Sequence, residues 1–97
     1  MVYHSVLFKF KQDTSRQTTD AFIEALTQLN DKIKAILYLH AGYNFASRGK
    51  GFEVMLASAF ASKAKLEEYQ KHPAHIAFVE NYVKPYVEDI IAGDIEV

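Results

Sequence analysis

The chain reads as an α+β domain with the ferredoxin-like order β-α-β-β-α-β and one four-stranded antiparallel sheet. Three observations lead there. Four segments are rich in β-branched and aromatic residues, and two stretches between them carry apolar residues at helical spacing. The second and third strand segments are separated only by the glycine-bearing loop ASRGKG.

Residues 3–10, YHSVLFKF, form the first strand. Period two puts His4, Val6, Phe8 and Phe10 on one face, and Tyr3, Ser5, Leu7 and Lys9 on the other. QDTSRQTTD breaks the alternation, and Thr14-Ser-Arg-Gln17 has capping-box spacing. Phe22, Leu26, Leu29 and Ile33 then predict a helix over 15–32. The second strand, 35–45, shows Leu37, Leu39, Ala41 and Tyr43 on one face against Tyr38, His40 and Gly42. The third, 52–60, alternates Val54, Leu56, Ser58 and Phe60 with Glu53, Met55, Ala57 and Ala59. A short helix runs from Ser62 to about Gln70. Pro73 opens another, with Ile76, Val79 and Val83 beside Phe78 and Tyr82 as its stripes, and Pro85 kinks it or marks its last turns. DIIAGDIEV is the last strand.

Helices cover the face bearing Val6, Phe8, Phe10, Leu37, Leu39, Val54, Leu56 and Phe60. The other face offers Leu7, Tyr38, Met55, Ala57 and Ala59, which is too apolar and flat to leave in water. A second copy packed sheet to sheet is the simplest cover, so a homodimer is expected.

Ninety-seven residues suffice for a single domain, 1–97, with one core and no staples. There is no cysteine, which excludes disulfides, thiolate metal sites and thiol nucleophiles. The net charge of −1 comes from interspersed charges and builds no basic footprint for nucleic acid or anionic lipid. MVYHSVLFKFK carries histidine and lysine within its apolar run, unlike a signal peptide, and no apolar run approaches the roughly 20 residues of a membrane span. A cytoplasmic protein that engages neither membrane nor nucleic acid is the expectation.

The chemistry concentrates in YQKHPAHIAFV, 69–79. A residue before proline is pushed out of the α region, so His72 ends one helix and Pro73 begins the next. HxxH spacing brings two imidazoles, fewer than the three or four ligands of a zinc site. Acid–base chemistry fits better. His75 lies in the first turn of its helix, where the dipole disfavours imidazolium, and a neutral imidazole is what a general base requires. Tyr69 brings a phenol that donates to a carbonyl oxygen. His4 is the one polar residue on the covered face of strand one. If the three converge, they make a polar end to an apolar pocket; the plainer alternative is that each bonds a local backbone group beside the core. Arg48-Gly-Lys50-Gly lacks the ending and strand-loop-helix context of a phosphate loop and reads as a hairpin turn.

HSVLFKFK, AGYN, the phenylalanine closing strand three and YQKHPAHIAFVENYVKPYVEDIIAGDIE together resemble the stress-responsive α/β-barrel (Dabb) domain family over nearly the whole chain. The Y-x-x-HPAH-x-x-F block is the most specific part. The resemblance implies ferredoxin-like monomers pairing into a dimeric α+β barrel. Many members have no assigned reaction; one plant branch is a polyketide cyclase that closes linear poly-β-ketones by aldol condensation. By that resemblance Tyr69 and His75 are the candidate catalytic residues, His75 as base and Tyr69 as carbonyl-orienting partner. His4, Leu37, Val54, His72 and Phe78 are the candidate ligand-binding residues. Val54 stands where the cyclase has a histidine, and Leu37 where it has a lysine. Lys34 replaces a proline at the bend near Asn30 and Ile33, where some plant members hold a cation. No cofactor or metal is demanded. The resulting expectation is a Dabb-domain protein of undefined activity with a small apolar or keto-bearing ligand; the alternative is a cofactor-free cyclase.

Overall fold

The computed structural model describes residues 1–97. Strands β1 (Val2–Phe10), β2 (Ile36–Tyr43), β3 (Val54–Phe60) and β4 (Val87–Glu96) form one antiparallel sheet in the order β2-β3-β1-β4. Helices α1 (Arg16–Thr27), α2 (Leu29–Lys32), α3 (Lys63–Lys71), α4 (Pro73–Phe78) and α5 (Lys84–Tyr86) complete the ferredoxin-like plan. A π-helical turn, Val79–Val83, joins α4 to α5.

Alternation along β1 sorts its side chains as expected: His4, Val6, Phe8 and Phe10 are buried under the helices, and the residues between them are not. Phe22 of α1 is the hub of that core. It meets Phe8, Phe10 and Phe78 edge-on, at ring-centroid separations of 5.0, 4.9 and 5.1 Å, a geometry that matches the positive edge of one ring to the negative face of another. The outer side of α1 is tied to β2 by Tyr43. Its hydroxyl donates to Asp20 and is hydrogen-bonded to the Thr19 hydroxyl, while the Arg16 guanidinium lies 3.8 Å above its ring.

The cap of α1 falls one residue later than the spacing predicted. Ser15 accepts from the Thr18 N–H at 3.1 Å, and Thr14 instead gives its hydroxyl to the Lys11 carbonyl. The predicted helix over 15–32 breaks at Gln28 into α1 and α2. Asn44 folds the loop after β2 back on itself, donating to the Phe52 carbonyl and accepting from the Ala46 N–H. Lys50 and Gly51 then take positive φ of 53° and 84°, so the Arg48–Gly51 stretch is a turn.

Leu37 departs from its expected place. Ile36 pairs with Phe60 and Tyr38 with Ala59, which leaves Leu37 bulged out of the ladder and 54% exposed. A bulge inserts one residue and so defeats parity locally; alternation resumes by Leu39, which is buried.

On the face without helices, register aligns Tyr38, Ala59, Tyr3 and Ile95 across the sheet, and four residues on Gly42, Met55, Leu7 and Ile91. Ala59 is buried between its tyrosine neighbours, whereas Tyr38, Met55, Ile91 and Ile95 stand exposed. The isoleucines of β4 extend the apolar face beyond the residues read from the first three strands.

The bulge has a measurable consequence. Phe22→Ala should lower stability by about 3–5 kcal/mol and Leu37→Ala by less than about 0.5 kcal/mol in urea titrations. Comparable losses at both positions would return Leu37 to the core.

Candidate functional site

Pro73 offers no N–H to α3 and forces the preceding residue out of the helical region. His72 accordingly sits at φ −65°, ψ 138°, and its ring Nδ1 accepts from the Ala74 N–H at 3.0 Å. The histidine is thus the N-cap of α4, a role usually taken by serine or aspartate. It does not line the cavity described below.

The joint brings the last turn of α3 against the first turn of α4. Tyr69 and His75 meet with ring centroids 4.6 Å apart and planes at 63°. On its other sides Tyr69 packs against Phe60 at 5.1 Å and meets His4 edge-on at 6.3 Å. Tyr69, His75 and His4 therefore converge.

They form the polar end of a cavity of about 220 Å³ between helices and sheet. Val6, Phe8, Leu26, Leu56 and Phe78 make its apolar wall. The π-helical turn shapes the rim: the Lys84 N–H reaches back to the Val79 carbonyl, one residue further than in an α-helix, and Val79 and Val83 border the opening. Ile90 and Ala92 of β4 close the remaining side. The volume lies below the roughly 300–1,000 Å³ of drug-sized sites, so the occupant must be small.

Of the residues singled out from sequence, His4, Tyr69, His75 and Phe78 line this space. Val54 does not: it is fully buried in the core. Leu37 is bulged to the surface. Gln70, Val79, Ile90, Ala92 and Asp94 were missed. Asp94 hydrogen-bonds the Nδ1 of His4, and antiparallel pairing of the first and last strands, which sets His4 opposite Asp94, is the signal that finds it.

Burial governs the electrostatics. Tyr69 is 1% exposed, and desolvation of its phenolate pushes its pKa up to about 12. Burial also lowers the pKa of His75; a hydrogen bond to the Gln70 backbone opposes this in part, and the nearby His4 adds to the lowering. At neutral pH the site therefore presents a phenol and a neutral His75 imidazole. Every fully enclosed side-chain nitrogen and oxygen in the chain has a hydrogen-bond partner. No three side chains of His, Cys, Asp or Glu type gather to hold a metal. At the bend after α2, the Asn30 amide donates to the Thr27 and Leu39 carbonyls, and the Ile33 carbonyl accepts from the Ile36 N–H.

The profile of the Stress responsive A/B Barrel Domain matches residues 2–97. The chain belongs to this family. Olivetolic acid cyclase from Cannabis sativa is 25% identical over 83 residues, covering 84% of this chain and 82% of the cyclase. Stress-response A/B barrel domain-containing protein HS1 from Arabidopsis thaliana is 29% identical over 79 residues, covering 79% and 72%. A crystal structure from Bacteroides fragilis, described as a dimeric protein of unknown function with a ferredoxin-like fold, superposes with a TM-score of 0.85 at 28% identity, covering 99% of this chain and 95% of that one. This Dabb chain thus shares its fold with dimeric relatives, and no specific activity is established for it. No helix in it is long and apolar enough to cross a membrane.

Because the folded pKa of His75 is depressed, its neutral form contributes stability above the unfolded value of about 6.5, and that stability is lost as pH falls below it. Urea midpoints should fall between pH 7 and pH 5, and His75→Gln should flatten part of that slope. Equal slopes in the two proteins would contradict a desolvated His75.

Proposed function

We propose that this Dabb protein is a homodimer in which each subunit binds a small, largely apolar carbonyl compound. The reading rests on one observation above others: an apolar cavity ends in a buried phenol and a buried imidazole. The phenol is a donor held in its neutral form, suited to a ligand carbonyl. The hydrocarbon walls accept the rest of the molecule. The chain is taken to work as a single domain, and its cysteine-free composition fits the cytoplasm.

Sheet-to-sheet pairing is supported by the exposed rows around Met55, Leu7 and Ile91, and by the dimeric Bacteroides relative. In sedimentation the protein should be a dimer at micromolar concentration, and Met55→Lys should shift it toward monomer. A monomeric wild type would refute the pairing.

A second reading adds chemistry. A neutral His75 beside Tyr69 is placed to take a proton from carbon next to the carbonyl, with the phenol polarising the oxygen. The likeness to olivetolic acid cyclase supports it.

Acetophenone, with one ring and one carbonyl, is a direct probe. Its addition should shift the amide resonances of cavity residues, and Tyr69→Phe should weaken binding about tenfold, the worth of one hydrogen bond. Binding that ignores the tyrosine, or shifts confined to other surfaces, would overturn the assignment.

A further inference from the structure

His4 has a role that its position on the strand face alone does not give. It is 6% exposed, its Nδ1 is bonded to Asp94 across the β1–β4 ladder, and its carbonyl is held by the Ser58 hydroxyl at 2.8 Å. Ring and backbone are both pinned. Asp94 does not belong to the cavity wall, whereas His4 does. With Nδ1 engaged by Asp94, Nε2 is the ring nitrogen of His4 left to meet a ligand in the cavity.

The partner decides where the proton sits. An aspartate carboxylate offers only acceptors, so Nδ1 carries the hydrogen, and in the neutral form of the ring the lone pair is on Nε2. Tyr69, whose hydroxyl is a donor, lines the same cavity. The two rings are 6.3 Å apart, so one small molecule can touch both. A plain ketone satisfies the donor and leaves the buried acceptor without a hydrogen bond, at a free-energy cost.

We propose that Asp94 is a positioning residue that holds His4 as a hydrogen-bond acceptor toward the cavity, so that the preferred ligand is a ketone bearing a hydroxyl beside its carbonyl. This rests on the cavity reading above and names its ligand class: the carbonyl accepts from Tyr69, and the hydroxyl donates to His4. No covalent step is involved.

Three probes separate the parts of the claim. Acetophenone tests the cavity, α-hydroxyacetophenone supplies the extra donor, and α-methoxyacetophenone keeps the extra oxygen but cannot donate. The wild type should bind the hydroxy compound about tenfold more tightly than the methoxy one, the equivalent of one hydrogen bond. Nitrogen-15 NMR of the ligand-free protein should show His4 protonated at Nδ1. Asp94→Ala removes the acceptor, so His4 should move toward the Nε2-protonated tautomer and the hydroxy preference should vanish. Asp94→Asn keeps an acceptor oxygen and should retain both. The Asp94 side chain is 45% exposed, so neither change opens a core cavity.

Equal affinity for the hydroxy and methoxy probes would overturn the ligand class. An unchanged tautomer in Asp94→Ala would overturn the positioning role. If acetophenone and both derivatives fail to bind, the cavity reading and the ligand class fall together, and the tautomer measurement alone then decides the part played by Asp94.

Discussion

A single backbone constraint organises the site. Proline has no N–H to give and excludes the residue before it from helical geometry. At Pro73 this stops α3 two residues after its buried tyrosine and restarts the chain in a new direction. A straight helix would carry residues 69 and 75 to different faces, since six positions at 100° each leave them far from alignment. The break folds them ring to ring instead. His72 contributes by capping the new helix with its own ring nitrogen, so the joint is held by a hydrogen bond as well as by steric exclusion.

Around that joint, the fold combines close packing with one deliberate exception. The centre is filled by interlocking aromatic rings about Phe22, and Phe60 and Tyr69 continue the cluster toward the site. Past Phe78 the helix widens into a π-helical turn, and the space beneath it is left to short or branched side chains such as Val6, Leu56, Val83 and Ala92. Polar groups at the end of this space are each handled differently. His4 is bonded to a carboxylate, His75 is held neutral by burial, and Tyr69 is a desolvated phenol. Burying such groups is unfavourable unless they are hydrogen-bonded. Their placement around one cavity is what sets this region apart from the rest of the core.

Much of this was legible in the residues. Alternation in β1 and β3 put His4, Val6 and Leu56 under the helices, and the proline between two histidines marked the joint that gathers Tyr69 and His75. What escaped was set by register. Leu37 shares the parity of Leu39, and only a bulge, formed where β2 meets β3, moves it to the surface. Val54 has the right face, but it is fully buried in the core and does not line the cavity. His72 looked like a ligand because imidazole is rarely a helix cap. Asp94 lies 90 residues from His4 and becomes its neighbour only through pairing of the first and last strands. The wide turn after Phe78 has no local signature beyond Pro85 downstream.

The central claim is that Tyr69 and His75 share a desolvated polar end rather than a wet helix joint. Titration of the His75 ring by NMR tests it most directly. The account predicts a midpoint below the usual histidine value of about 6.5. A midpoint at or above that value would mean that water reaches the imidazole, and the cavity would then be only a groove beside a helix break.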